Sequence, residues 1–325
     1  MLLPTPAHLD LRTAEFPLQH KGLLRAYTLP WSRTALWRFL HHKRWGYLWV
    51  DGEDWILGMA IVDLGYLAKS FVFFVEAEQK TPVFYREALA LPGLSPVLHS
   101  TQEQVRTAKF HGPGLRSRIQ WFEEGLLNFQ VEGKNLSISG QAQRPEQAPL
   151  VAANLLSGGS ANLTMKTMRH SAQVRIRFQN REWKTAHAWV ATDLTDGFLP
   201  RSTRWSWASL SGLSLTGERV SLNLVEGFNG ACECLLWVND LQIPLEEGVI
   251  EGQVPDQNWQ IRTRCGKVQL EFQPWCALWD QTRLGLVSSD FRQVYGTYSG
   301  RITTGQKILI IEKLRGIAEY QDVLW

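Results

Sequence analysis

Apolar and polar residues alternate along most of this chain. Side chains of a β-strand point alternately to its two faces, so residues two apart share a face. Trp45, Tyr47 and Trp49 share one. After the turn signal Asp51-Gly52, Trp55, Leu57, Met59, Ile61 and Asp63 share another, so an acid ends an apolar stripe. Phe71, Phe73 and Val75 form a third run. Shorter runs fill Leu98 to Gly140, with turns at His111-Gly112-Pro113-Gly114 and Glu132-Gly133-Lys134-Asn135. The alternation resumes at 174–178 and continues in runs to 306–314.

The densest stretch is Thr185 to Phe228. His187, Trp189, Ala191 and Asp193 share a face, as do Arg201, Thr203, Trp205, Trp207 and Ser209. Leu222, Leu224, Glu226 and Phe228 share one in the third run, with Ser221, Asn223 and Val225 on its other side. Thr195-Asp196-Gly197 and Thr216-Gly217-Glu218 stand between the runs, and glycine supplies the positive φ of tight hairpins. The pattern predicts three consecutive antiparallel strands that bring Trp189, Trp205 and Trp207 together.

One helix is predicted, about Ser32 to His42. Ser32 is placed to cap it, and Leu36, Trp37 and Leu40 fall on one face. Arg33, Arg38, Lys43 and Arg44 make it basic, so it covers a sheet with its charges in water; transient membrane contact is the second reading. An extended, proline-bearing arm precedes it. Residues 141–162, with Gln-Ala-Gln-Arg-Pro-Glu-Gln-Ala-Pro and then Ser-Gly-Gly-Ser-Ala-Asn, are the best domain connection, giving domains at 1–150 and 151–325. Each half then holds roughly seven to nine short strands, which suits a barrel or a sandwich.

The motif Thr192-Asp193-x-Thr195-Asp196-Gly197, then Pro200-Arg201-x-Thr203-x-Trp205-x-Trp207-Ala208, then Leu222-Asn223-Leu224-x-Glu226-Gly227, resembles the bacterial domain of unknown function 2804 family. Lys43-Arg44-Trp45-x-Tyr47, Asp63-Leu64-Gly65-Tyr66 and the segment from Gly316 through Glu319 to Trp325 fit it too. More distantly, an acidic strand end followed by Trp-x-Trp is similar to the calycin-like carotenoid 1,2-hydratases (hydroxyneurosporene synthases) and tocopherol cyclases. The hydratase Asp-x-Glu-Trp motif is not reproduced; Thr192-Asp193-Leu194-Thr195 stands in its place. The resemblance implies an all-β fold of two lipocalin-like, antiparallel β-barrel domains with few short helices. A single large β-sandwich is the alternative.

Composition narrows the functional classes. At 325 residues, 44% apolar and 20% charged, the chain is globular. Its 15 Trp demand an aromatic core or an aromatic-lined cavity. A net charge of +3 without a Lys/Arg stripe argues against nucleic acid. Four cysteines without zinc spacing read as buried thiols. The N-terminus lacks a secretory pattern and no apolar run is long enough to span a membrane, so a cytoplasmic location is expected. No metal site, no cofactor motif and no nucleophile elbow is found; Gly300 to Lys307 mimics a phosphate loop but places its Lys one position late. The oligomeric state is left open.

What remains is acids beside aromatics. Glu312 lies on the face of Ile308, Ile310 and Leu314, Glu226 follows Leu222 and Leu224, Asp63 ends its stripe, and Asp193 follows Trp189. A carboxyl among apolar groups holds its proton to higher pH and can protonate an alkene. Trp faces stabilise a developing cation. The candidates are Asp193, Asp196, Glu226 and Glu312 as catalytic acids, and Asp63, His187, Trp189, Arg201, Trp205, Trp207 and Asn223 as ligand contacts. Arg201 and Arg204 could equally pin these acids structurally, and Asn223 could serve a turn. The expected partner is an apolar small molecule. Cofactor-free acid catalysis on an isoprenoid-like substrate, non-catalytic carriage of an apolar ligand, and action on a carbohydrate are the three functional readings.

Overall fold

The computed structural model describes residues 34–91, 100–102, 105–122, 124–156, 161–252, 257–305 and 307–325. The expected proline-bearing arm and the Ser32 cap lie outside them. The chain forms two units. One comprises the residues to Phe74 and Val83–Pro200; the other comprises Val75–Pro82 and Arg201–Trp325. The polar stretch 141–162 falls inside the first unit.

The fold is all-β, as the alternation predicts. Two antiparallel sheets form, one curling into a nearly closed barrel and the other into a half-barrel. Among the described residues there is a single short α-helix, α1 (Ala35–His41). Its cap is Thr34, whose hydroxyl accepts from the Trp37 amide at 3.1 Å. Trp37 stacks on His41 and Phe198 and is half-buried, whereas Leu36, Phe39 and Leu40 are exposed, so the expected Leu36/Trp37/Leu40 face is covered only at Trp37.

The first sheet contains β1 (His42–Asp51), β2 (Trp55–Asp63), β3 (Ala68–Glu76), β4 (Phe84–Ala90), β5 (Ser100–Gln102), β6 (Val105–Gly112), β7 (Leu115–Phe122), β8 (Leu127–Gly133), β9 (Leu136–Pro145), β10 (Leu150–Leu155), β11 (Ala161–Phe178) and β12 (Arg181–Phe198). Its order is β4-β3-β2-β1-β12-β11-β9-β8-β7-β6-β5, with β10 on β11. Inside it Leu48, Val50, Leu57, Met59, Phe74, Phe110, Ile119, Phe129, Val174 and Val190 make one apolar core.

The second sheet contains β13 (Ser202–Leu213), β14 (Arg219–Gly227), β15 (Leu235–Val238), β16 (Leu241–Pro244), β17 (Gly248–Glu251), β18 (Trp259–Thr263), β19 (Val268–Leu284), β20 (Val287–Thr304) and β21 (Lys307–Leu324). Its order is β16-β15-β14-β13-β21-β20-β19-β18-β17.

The three-strand meander expected over 185–228 does not form. β12 pairs β1 and β11, while β13 pairs β14 and β21. Thr195-Asp196-Gly197 is no turn: Gly197 continues β12, opposite Lys43 on one side and Asn162 on the other. The break comes at Pro200, which has no amide hydrogen to donate to a ladder. The second turn holds, with Gly217 at φ +86° between β13 and β14.

Candidate functional site

The first family motif explains itself as one interlock. Lys43 is fully buried, and its ammonium donates to the carbonyls of Leu40 at 2.5 Å and Leu64 at 2.8 Å. It also stands 4.6 Å from the centre of the Tyr66 ring. Burial pulls its pKa down to about 8, against the neighbouring charge of Asp63, which works the other way. Arg44 pairs with Asp63, which also accepts from the Gly65 amide at 2.8 Å. Lys43-Arg44 and Asp63-Leu64-Gly65-Tyr66 thus clamp the helix end to the β2–β3 connection.

Register sorts the acids. Arg44 stands opposite Asp63 on β2 and Asp196 on β12, so the three form a row across the sheet on its core side. His42, next along the same face, contacts Asp196 at 2.7 Å and stacks on Phe198. Asp193 is three residues from Asp196 and therefore points the other way.

On that other face lies the most unusual arrangement of the first unit. Trp45, Tyr47 and Trp49 of β1 stand opposite Thr195, Asp193 and Ala191 of β12. Lys166 of β11 stands opposite Asp193 and pairs with it at 2.9 Å, with the two side chains only 5% and 13% exposed. The Thr164 hydroxyl donates to the other Asp193 oxygen at 3.2 Å. Two polar atoms on this face are buried without a hydrogen-bond partner, the Trp49 indole nitrogen and the Asn162 side-chain oxygen. Burying an ion pair costs several kcal/mol per ion before its own attraction is counted. A face that carries one beside unmatched polar atoms is poorly explained as packing alone.

Inside the first barrel is a buried histidine. The His170 ring contacts the Gln143 carbonyl through Nδ1 at 2.7 Å and the Thr167 hydroxyl through Nε2 at 2.6 Å. Nδ1–H donates to the carbonyl, so Nε2 accepts from Thr167. Burial drives its pKa down to about 4, opposed by the Gln143 carbonyl.

The second unit has a comparable face. The Trp205 indole donates to Glu319 at 2.9 Å, and the Gln293 amide donates to the other Glu319 oxygen at 2.6 Å. The Tyr295 hydroxyl donates to Gln293 at 2.5 Å. The Trp207 indole donates to Asn223 at 2.7 Å, and Asn223 donates onward to the Glu233 carbonyl at 2.5 Å. The Ser209 hydroxyl is buried with no partner. A Cβ on Gly316 would run into the Ser209 carbonyl, so glycine there lets β21 and β13 approach.

The remaining expected residues are scattered. Trp189 belongs to β12 of the first sheet, whereas Trp205 and Trp207 belong to β13 of the second, and the Arg169 guanidinium stacks over Trp189 at 4.1 Å. His187 is exposed. Arg201 donates to the backbone carbonyls of Trp325 and Leu286, at 3.0 and 2.8 Å, and it is Arg204 that pairs with an acid, Asp322. Glu226 is half-buried, accepts from the Ile250 amide at 3.0 Å, and shares its face with Leu222 and Leu224 as the alternation predicts. Glu312 is exposed, with Ile308 and Ile310 exposed beside it, so it is no buried acid. Among the described residues no three His, Cys, Asp or Glu side chains gather as a metal site. No helix there is long and apolar enough to cross a membrane. Lys166, Glu319 and Gln293 were not among the expected contacts. A legible signal existed for Glu319: it precedes Asp322 by the same interval by which Asp193 precedes Asp196.

Comparison with solved structures places this architecture among known folds. An AttH-like protein of Nitrosomonas europaea superposes with a TM-score of 0.54 at 12% identity, over 86% of this chain and 92% of the other. CghA, crystallised with the molecule Sch210972, gives 0.54 at 8% identity, over 87% and 88% of the two chains. Kievitone hydratase of Nectria haematococca gives 0.49 at 10% identity, over 89% and 90%. A search of the curated proteins returns no match. The family model of the domain of unknown function DUF2804 matches residues 9–325, and the chain belongs to that family.

Proposed function

We propose that the protein binds a small apolar molecule bearing at least one polar group, on the face formed by Trp45, Tyr47, Trp49, Asp193 and Lys166. The observation that carries this reading is the buried Lys166–Asp193 pair in an aromatic surroundings, beside the unmatched Trp49 nitrogen and Asn162 oxygen. Aromatic rings supply apolar area, and a few fixed polar groups orient a ligand. That a protein of the same fold is crystallised with a small molecule is consistent with the reading.

A second reading is turnover of that molecule, favoured by the pairing of a carboxylate with an ammonium within one hydrogen bond. Such a pair can give a proton to a ligand from one member and take one with the other. The acid is partnered by a cation rather than set among apolar groups alone, so the site fits proton exchange at a polar substituent better than protonation of a bare alkene. Both readings place the ligand on the same face.

The test is titration with N-phenyl-1-naphthylamine, a neutral apolar fluorophore. Saturable binding, weakened about tenfold by Trp45→Ala in a protein that keeps its β-sheet circular dichroism, is expected. Unsaturable binding, or binding that Trp45→Ala leaves unchanged, contradicts it.

A further inference from the structure

The two sheets share a plan. In each, the first strand pairs with the second on one side and with the last on the other: β1 lies between β2 and β12, and β13 between β14 and β21. Register then aligns residues. Tyr47 stands opposite Asp193 and Trp207 opposite Glu319. Arg44 stands opposite Asp196 and Arg204 opposite Asp322. On the third strand Lys166 stands opposite Asp193 and Gln293 opposite Glu319, each bonded to its acid. The sequence carries the same correspondence, Arg44-Trp45-x-Tyr47 with Arg204-Trp205-x-Trp207 and Asp193-x-x-Asp196 with Glu319-x-x-Asp322.

We propose that the second unit carries its own ligand site, built on Trp205, Trp207, Ser209, Glu319 and Gln293, and that it takes a neutral apolar molecule with a hydrogen-bond donor. The proposal rests on the reading of the first face as a binding face. Its independent support is Ser209, 1% exposed, whose hydroxyl finds no partner while every neighbouring polar side chain named above does. Ser209 aligns with Trp49, two residues beyond the aromatic that faces the acid, and Trp49 is also unmatched. A residue with an unsatisfied side-chain atom thus stands at the same strand position in both units.

The chemistry of the two faces differs in one respect. Lys166 places a cation against Asp193, whereas the Glu319 oxygens accept from the neutral Trp205 and Gln293 groups. With Glu319 occupied, the group left to meet a ligand is the Ser209 hydroxyl, which can accept from an N–H or O–H and donate its own hydrogen. A neutral donor on an apolar body meets that requirement, and N-phenyl-1-naphthylamine, with one N–H between two aromatic groups, is a fair probe of it.

The experiment is the binding stoichiometry of this probe on the full chain, for the wild type, Trp45→Ala and Ser209→Val. Two probes per chain are expected, with Ser209→Val weakening one of them about fivefold and leaving the other unchanged. Ser209→Val should also raise Tm or leave it unchanged, because the hydroxyl it removes is unsatisfied, so weaker binding cannot be laid to misfolding. One probe per chain, lost in Trp45→Ala and indifferent to Ser209→Val, overturns this proposal and leaves the first face standing. One probe weakened by Ser209→Val and indifferent to Trp45→Ala supports the second site and removes the first. No saturable binding overturns both.

Discussion

The Lys166 ammonium lies 2.9 Å from the Asp193 carboxylate, with both side chains almost wholly buried in an antiparallel sheet. Removing one member of such a pair strands the other charge. Lys166→Met alone is therefore expected to cost about 3–5 kcal/mol. Replacing both, as Lys166→Met with Asp193→Leu, should recover most of that loss, because two apolar side chains need no desolvation. If the face binds a ligand, the double variant folds well and binds poorly. Urea denaturation of the four proteins in the cycle, beside probe titration, checks this. Equal binding by the stable double variant would assign the pair to structure alone.

His170 should make the fold acid-sensitive. Its pKa is about 4 when folded and near 6.5 when unfolded, so between those values the unfolded chain binds more protons. Its contribution is present above about pH 6.5 and is lost as pH falls through about 4, on the order of 3 kcal/mol in all. His170→Gln does not titrate, so its stability should fall less steeply over that window. Denaturation midpoints at three pH values between 7 and 4 give the comparison. Identical slopes would contradict it.

Lys43 gives a pH dependence of the opposite range. Its folded pKa, about 8, lies below the ordinary lysine value, so the unfolded chain binds more protons between about pH 8 and 10.5. The wild type should therefore gain stability relative to Lys43→Met as pH rises through that window. At neutral pH Lys43→Met should still be the weaker protein, by about 1–3 kcal/mol, because the Leu40 and Leu64 carbonyls lose their donor.

The four thiols should divide into two pairs. Cys234 and Cys276 are buried, and burial pushes both up to about 11, whereas Cys232 and Cys265 are exposed. The thiolate is the reactive form, so Ellman's reagent at pH 8 should react promptly with two thiols and reach the others only after denaturation. Four fast thiols in the folded protein would contradict the burial of β19 and of the loop before β15.

Local alternation revealed strands and their faces but not their partners. Trp45, Tyr47 and Trp49 were legible as one face, and Leu222, Leu224 and Glu226 as another, because parity is a property of consecutive residues. That β1 closes against β12, and β13 against β21, depends on pairings more than a hundred residues apart, which no local pattern encodes. Hence the local pattern marks the carboxylates as unusual without showing their cations: Asp193 without Lys166, Asp63 without Arg44. Thr195-Asp196-Gly197 has turn composition, yet both of its neighbours in the sheet hold it extended. At Glu312 a bulge intervenes: Lys313 adopts φ +50° and the register shifts, so Leu314 no longer shares the face of Ile308 and Ile310. The family motifs proved to be contact maps, with Arg201 and Thr203 meeting Trp325, Trp205 meeting Glu319 and Trp207 meeting Asn223.

Whether the Trp45, Tyr47 and Asp193 face holds an apolar small molecule is read from mass spectrometry of the organic extract of freshly purified protein. An apolar compound in at least near-stoichiometric amount from the wild type, clearly reduced in folded Trp45→Ala, is the predicted result. A change in that compound's mass or retention on incubation with the protein would add turnover to binding. An empty extract from well-folded wild type, or the same compound in equal amount from Trp45→Ala, would contradict the claim.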